Sequence, residues 1–333
     1  MAAAGVALRG DGPQIGWEDV GLSPSAGSDP LFSDLPEQLG VLHWHSDTVR
    51  LPAGAVPLAS CARFPVQAFR VRGSAWGPQF HLEVDSAAVD AFVTAFPRDA
   101  ARAPGLLEDT PESLAALVPY RDQVLGRFAA LVAARSAHTS ARTFFTPRAE
   151  AWEERFAHQT PAYAAAVGRM GLKPGQRALD LGCGTGRALP ALRAAVGDSG
   201  AVLGVDVTHA MLGAAARTGR AGLAHLLLAD CHGLPLPSGA VHGIFGAGLL
   251  DHVHDPAAAL REWARVTAEG GVPALFHPSG RAERAARHGR PPSPDDPLAR
   301  PNLEPALRAA GWRPAEYDDA GSHFFALADL SGP

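Results

Sequence analysis

Between residues 178 and 188 the chain reads ALDLGCGTGRA, and this segment constrains the fold more than any other. An apolar run of strand length ends in Asp180, and Gly182, Gly184 and Gly186 follow before a stretch able to start a helix. Glycines let the backbone turn tightly and approach a ligand with no side chain in the way. Beyond this segment the chain alternates strand-like and helix-like stretches with some regularity. RALDLG, AVLGVDV, AHLLLAD, VHGIFGAGLL and VPALFHP are short apolar runs with helix-like segments between most of them. In DPAAALREWARVT, Asp255 stands where an N-cap would, with Pro256 behind it. Near-continuous apolar strands alternating with helices predict an α/β fold, a parallel sheet covered on both faces. The final WRPAEYDDAGSHFFALADL reads as two strands around a short turn, closing the sheet with an antiparallel edge strand.

Two more acids stand where the next strands end. Asp206 closes GVDV, where a carboxylate could accept hydrogen bonds from two ribose hydroxyls, and Asp230 closes LLLAD, where it could reach an exocyclic amine. Any one of the three acids could simply cap a helix or turn. Together they mark the carboxyl edge of a parallel sheet, where open α/β sheets bind ligands. LDLGCGTG, GVDV, ADCHGLPLP and GLLDHVHDPAAALREWARVTAEGG resemble the class I S-adenosylmethionine-dependent methyltransferases, specifically their small-molecule branch, over about residues 150–333. The resemblance implies a Rossmann-like sheet with S-adenosylmethionine as cofactor. It places Gly182, Cys183, Gly184 and Gly186 beneath the methionine part and Asp180 near that same end. Asp206 would then hold the ribose, Asp230 and Cys231 would flank the adenine, and Met211 would pack on it. A dinucleotide-binding domain is the rival reading, but such sites use GxGxxG to seat a pyrophosphate on a helix N-terminus. GCGTG has a different spacing and an acid just before it.

The sulfonium of such a cofactor already carries an activated methyl group, so few catalytic side chains are obligatory. A general base would serve oxygen or nitrogen acceptors, and His252 and His277, after the fourth and fifth strands, are the candidates. Either could instead be a packing residue. DHVHD is not expected to bind metal, because it matches the family's ordinary pattern. Arg281, Arg284, Arg287 and Arg290 recur every third residue and would either bind an anionic acceptor or form a solvated charged face.

Ahead of this region the pattern differs. VLHWH, AVPLAS, VQAFRV and GPQFHLEV are short strand-like runs bounded by Gly or Pro, and from Asp109 a helical spacing sets in through Leu114, Leu117, Val118, Val124, Leu125, Phe128 and Leu131. HWHSDTVRLPAGAVPLAS, PVQAFRV and AWGPQFHLEV resemble the C-terminal portion of class I glutamine amidotransferases over about residues 13–135. The resemblance implies a partial flavodoxin-like domain. In that family a cysteine attacks the glutamine amide while a His moves the proton and a Glu orients the His. His81 and Glu83 match the last two. The nucleophile's GxCxG elbow has no counterpart: Cys61 lies in LASCARF, and the other cysteines are Cys183 and Cys231. His81 and Glu83 are therefore expected to be vestigial, without glutaminase activity. Two accounts stay open, a start upstream of this sequence or a front converted to a docking or structural module. The expected organisation is an amidotransferase-like domain over 1–135, a linker over 136–150 around SAHTSARTFFTPR, and a methyltransferase domain over 151–333.

Charge and composition narrow the partners. Residues 1–140 carry 15 Asp/Glu against 10 Lys/Arg, and the remainder 19 of each, so no basic face for nucleic acid is expected. Lys173 is the only lysine and follows no glycine-rich run, which excludes a P-loop. No apolar run of about 18 residues could span a bilayer, and no basic segment precedes MAAAGVAL as in a secretion signal. Three cysteines without a CxxC fit a reducing cytoplasm. The expected partner is a small-molecule methyl acceptor, and homo- or hetero-oligomerisation through the front domain is left open.

Overall fold

A computed structural model describes residues 5–330 of the chain, so the reading of the first four residues lies outside the described part. The chain divides into two compact units, residues 1–132 and 133–333.

The first unit is built on β1 (Val6–Leu22), β2 (Gln38–Arg50), β3 (Ala55–Ser60), β4 (Ala68–Val71) and β5 (Ala75–Pro78), followed by α1 (Ser86–Ala95), a short α2 (Pro97–Ala100) and the first part of α3 (Leu106–Phe145), whose residues from Ala133 on belong to the second unit. Its sheet order is β2-β1-β3-β4-β5. β1 and β2 pair from Val6 opposite Arg50 to Gly21 opposite Gln38, with an irregularity between Arg9 and Gln14. Every strand pairing described in this sheet is antiparallel, so the parallel sheet of a flavodoxin-like domain is not seen among the described residues. Asp85 caps α1 by accepting from the Ala88 amide at 2.8 Å. Val41, Leu42, Leu58, Phe80, Val89 and Leu117 belong to one buried cluster. On α3 the periodic positions split: Leu114, Leu117 and Val124 are buried, whereas Leu125, Phe128 and Leu131 are exposed.

The stretch 136–150 is not a loop. α3 runs through it to Phe145, and a 3-10 turn over Thr146–Arg148 leads into the next helix. Its small polar residues suggested a linker, yet it has no Gly or Pro before Pro147, and its Ala and Arg favour helix. Pro147 disfavours helical backbone before it, and α3 ends there.

The second unit contains α4 (Ala149–Phe156), α5 (Thr160–Arg169), β6 (Arg177–Leu181), α6 (Leu189–Val196), β7 (Ala201–Asp206), α7 (His209–Arg217), β8 (His225–Leu228), β9 (Val241–Ala247), α8 (Pro256–Val266), β10 (Thr267–His277), α9 (Arg281–Arg287), α10 (Arg300–Ala309), β11 (Trp312–Ala320) and β12 (His323–Leu330). The sheet order is β11-β12-β10-β9-β6-β7-β8. β6 pairs in parallel with both β7 and β9, and the order reverses around it, creating the crevice where such sheets bind ligands. The last two strands close the sheet with antiparallel pairing, as expected. β12 lies between β10 and β11, antiparallel to both, and β11 is the edge. Burial explains the placement: FFALA in β12 is largely apolar and holds buried Phe324, Phe325, Ala326 and Ala328, while β11 is mostly half-exposed. Asp255 caps α8 by accepting from the Ala258 amide at 2.9 Å, as its sequence position predicts. Trp263 and Trp312 are buried and satisfied, their indole N–H groups donating to Cys231 O and Leu260 O.

Candidate active site

The turn after β6 is where the sequence first pointed. Gly182, Gly184 and Gly186 have φ of 64°, 55° and 78°, left-handed values that side chains other than glycine rarely adopt. At Gly182 a Cβ would also stand 2.9 Å from Leu249 Cδ1. The Cys183 amide donates to Val205 O at 3.0 Å and the Gly186 amide to Cys183 O at 2.7 Å, tying the turn to β7 and closing it on itself.

Two carboxylates flank the turn. Asp206, at the end of β7, accepts from the Gly184 amide at 2.9 Å and from the Thr208 amide at 2.7 Å. Asp180, at the end of β6, is 2% exposed, and its Oδ2 has no hydrogen-bond partner. Burial, and then the neighbouring Asp206 carboxylate, push the Asp180 carboxyl well above the usual range. Asp206 is raised too, by burial, against the opposing pull of its two amide donors. Burial followed by both carboxylates likewise raises the Cys183 thiol. Burial therefore disfavours the charged carboxylates beside the turn, and a cationic group there would favour them again.

Asp230 sits just beyond β8. Its Oδ1 faces His232 Nδ1 at 2.8 Å, and its Oδ2 faces Nε2 of His138, from the last turns of α3, at 3.0 Å. Despite partial burial, the bonds to His232 lower its carboxyl to about 2. Cys231 is buried, and its thiol is raised to about 12 by burial first and Asp230 second. Asp230, Cys231 and His232 bring three ligand atoms within 4.8 Å, but both carboxylate oxygens are already engaged, and the thiolate is disfavoured. Met211 is buried on α7 with Ala149 and Ala214, backed by Phe145 and Trp152, so its side chain serves an apolar cluster. Beside Asp206, a recess of about 390 Å³ is lined by Val207, Ala210, Leu228, His209, Arg142 and Thr146. Arg142 donates to Val207 O at 3.0 Å along its rim.

Across the sheet end, His277 closes β10 and His252 ends a 3-10 turn over Leu250–His252. His277 is held neutral, lowered to about 4 chiefly by burial and then by the Arg284 guanidinium. Its Nδ1 lies 3.0 Å from both the amide and the carbonyl of Ser279. The His252 ring meets Phe145 edge-on at 6.2 Å. Three of the four arginines in the row are paired, and Arg290 is exposed. Arg281 pairs with Asp296 and Asp319, Arg284 with Asp251, and Arg287 with Glu283 and the Ser279 hydroxyl.

In the first unit, His81 and Glu83 are together as the sequence suggested, Nδ1 to Oε1 at 2.7 Å. His81 also bridges by backbone to Leu42 on β2. Cys61 Sγ accepts from the Phe64 amide and the Gln67 side chain, with Gln14 close by. Glu153, Tyr163, Arg187 and Arg220 escaped the sequence reading. Arg187 adjoins the glycine turn and could have been singled out for that, whereas Glu153 is brought there only by the packing of α4.

Residues 179–275 match a family model described as a methyltransferase domain. Over 100 residues the chain is 43% identical to an uncharacterized 37.1 kDa protein in transposon TN4556 of Streptomyces fradiae, covering 30% of this chain and 29% of that protein. Over 105 residues it is 36% identical to the ubiquinone/menaquinone biosynthesis C-methyltransferase UbiE of Vibrio campbellii, covering 30% of this chain and 40% of the relative. The chain thus spans less than half the length of these curated relatives. A SAM dependent methyltransferase from Aquifex aeolicus superposes with a TM-score of 0.44 at 27% identity, over 50% of this chain and 89% of that one. The matched segment contains Asp180, Asp206 and Asp230, and it identifies residues 179–275 as part of a class I S-adenosylmethionine-dependent methyltransferase domain.

Proposed function

We propose that this protein transfers the methyl group of S-adenosylmethionine to a small-molecule acceptor. One observation carries the reading: Asp180 and Asp206 are both raised by burial, and Asp180 keeps an oxygen without a partner. A ligand with an ammonium group for Asp180 and hydroxyl donors for Asp206 would relieve both acids, whereas a pyrophosphate would add negative charge where it is already costly. The residues present therefore fit this cofactor and oppose a dinucleotide.

When bound, the cofactor supplies a methyl group already activated for transfer. The chain's own residues bind, orient and exclude water. Each Asp206 oxygen, engaged by one amide, keeps a lone pair for a ribose hydroxyl. The glycine turn brings backbone close to the ligand, and the apolar recess of Val207, Ala210 and Leu228 suits a flat ring better than the inward-packed Met211 does. Asp230 faces the adenine edge with Cys231 beside it. His277, neutral at physiological pH, and His252 stand on the acceptor side, where a neutral imidazole can accept or donate one hydrogen bond to a polar acceptor. The name of the UbiE relative, a ubiquinone/menaquinone biosynthesis C-methyltransferase, favours a small organic acceptor.

The first unit we read as amidotransferase-like and without glutaminase activity, on the strength of the His81–Glu83 pair and of a Cys61 tied up with Gln14 and Gln67. Calorimetric titration of the full chain with S-adenosylmethionine and with NAD decides the main reading. Saturable binding of the first alone is expected, and binding of NAD instead would end it.

A further inference from the structure

Two charged side chains of the second unit are buried, opposite in sign and incompletely partnered. Asp180 is 2% exposed and Arg187 5% exposed. Oδ2 of Asp180 and both Nε and Nη2 of Arg187 lack a hydrogen-bond partner. Among the described residues the two do not pair with each other. Asp180 lies at the end of β6 and Arg187 just before α6, with the glycine turn between them. The Tyr163 phenol senses both: it is raised first by burial, then lowered by Arg187 and raised by Asp180.

Arg187 has weak claims on its neighbours. Its Nη1 donates to Gln159 Oε1 at 3.2 Å, a neutral acceptor. Glu153 is the nearest carboxylate, 3.7 Å from Nη2 and beyond hydrogen-bond reach. That carboxylate is committed elsewhere, accepting from Arg220 at 2.8 and 2.6 Å and from the Thr185 hydroxyl at 3.0 Å. The remaining surroundings are aromatic, the Tyr163 and Phe156 rings at 5.2 and 5.8 Å. A guanidinium so buried, with one ion pair at 3.7 Å and the Tyr163 phenol beside it but Nε and Nη2 without a hydrogen-bond acceptor, keeps room for an anion to complete it.

We propose that Asp180 and Arg187 together read a zwitterion, Asp180 the α-ammonium and Arg187 the α-carboxylate of the amino-acid end of S-adenosylmethionine. This rests on the cofactor reading above and adds a binding residue to it. A guanidinium offers a carboxylate two parallel donors, and the two unpartnered nitrogens, Nε and Nη2, lie on one edge of the fork. The pair would then select a ligand with both charges over one with the ammonium alone.

The test compares affinities of the full chain for S-adenosylmethionine and for decarboxylated S-adenosylmethionine, by calorimetry. The wild-type protein should prefer the carboxylated ligand by about 10–100-fold, the range for a hydrogen bond to a charged group. Arg187→Met should abolish that preference while changing affinity for the decarboxylated ligand by less than about threefold. A wild-type protein without the preference overturns the proposal, as does a variant that weakens both ligands equally, which is the mark of a merely structural arginine. Should Arg187→Met fail to fold, Arg187→Lys decides, since a lysine lacks the second parallel donor and must show a smaller preference. An unchanged preference there overturns the proposal. Binding of neither ligand by the wild-type protein would instead remove the cofactor reading, and this inference with it.

Discussion

The two units hold their most suggestive residues in opposite circumstances. In the first, His81 and Glu83 satisfy each other at 2.7 Å, with side chains 27% and 63% exposed. In the second, Asp180 is buried with an oxygen unpartnered, and Asp206 is raised by burial. An exposed, self-satisfied pair makes no demand on a ligand, whereas a buried charge without a partner is unstable until one arrives. A motif is thus informative to the extent that the fold leaves its polar atoms unfinished.

The largest expected effect sharpens this contrast. Asp206→Ala should weaken S-adenosylmethionine binding by about 1.5–3 kcal/mol, the cost of losing hydrogen bonds to a charged group. Calorimetry at neutral pH reads it directly. Unchanged affinity would remove Asp206 from the ribose and undo the assignment of the β7 edge.

Acid should strike both units for the same reason, which is where the comparison can break. His43 in the first unit and His277 in the second are both lowered to about 4, in each case chiefly by burial, against an ordinary value of 6.5. A histidine lowered on folding contributes stability that is complete above its unfolded value and is lost as pH falls toward the folded one. Each should therefore cost about 1–3 kcal/mol between pH 6.5 and 4. Asp230, lowered to about 2, keeps its contribution throughout that window. His232 is raised, so its contribution is complete below 6.5 and partly offsets the loss. His277→Gln should flatten the acid dependence of urea unfolding for the second unit and leave that of the first. A curve unchanged by the substitution would show that the ring is not held neutral.

Much of the second unit was legible because its signals are local. The strand ends at Asp180 and Asp206, Asp230 two residues beyond β8, the glycine turn and the Asp255 cap all depend on neighbours within a few residues. Even the internal position of β12 is written in its FFALA run, once burial on both faces is taken as the cue. The antiparallel architecture of the first unit was less so, since an alternating pattern does not say which strands pair. Glu153 and His138 were invisible, because they reach the site through the packing of α4 and the end of α3, at distances no spacing rule spans. The helical form of 136–150 was hidden for a related reason: small polar residues occur in both loops and helices, and only the Gly and Pro punctuation separates them.

Glycines offer a smaller test with opposite signs in the two units. Gly182 has φ of 64°, and a Cβ there would meet Leu249 at 2.9 Å, whereas a Cβ at Gly126 in α3 would meet nothing within 4 Å. Gly182→Ala should lower stability by about 1–2 kcal/mol through left-handed strain. Gly126→Ala should raise it by about 0.5–1 kcal/mol by improving helix propensity. Thermal unfolding of both variants measures the difference. A neutral Gly182→Ala would mean the turn relaxes without cost.

The smallest effect concerns the pair that first looked catalytic. His81 and Glu83 are partly exposed, so His81→Ala or Glu83→Gln should change stability by less than about 1 kcal/mol, as exposed ion pairs do. Neither should alter S-adenosylmethionine affinity, and the full chain should release no ammonia from glutamine above background. A His can move a proton and a Glu can orient it, but the amide carbon needs a nucleophile, and Cys61 is engaged by Gln67 and the Phe64 amide outside any glycine elbow. Ammonia release that vanishes in Cys61→Ala would show that the first unit retains chemistry. The contrast between the two units would then lie in which ligand each awaits.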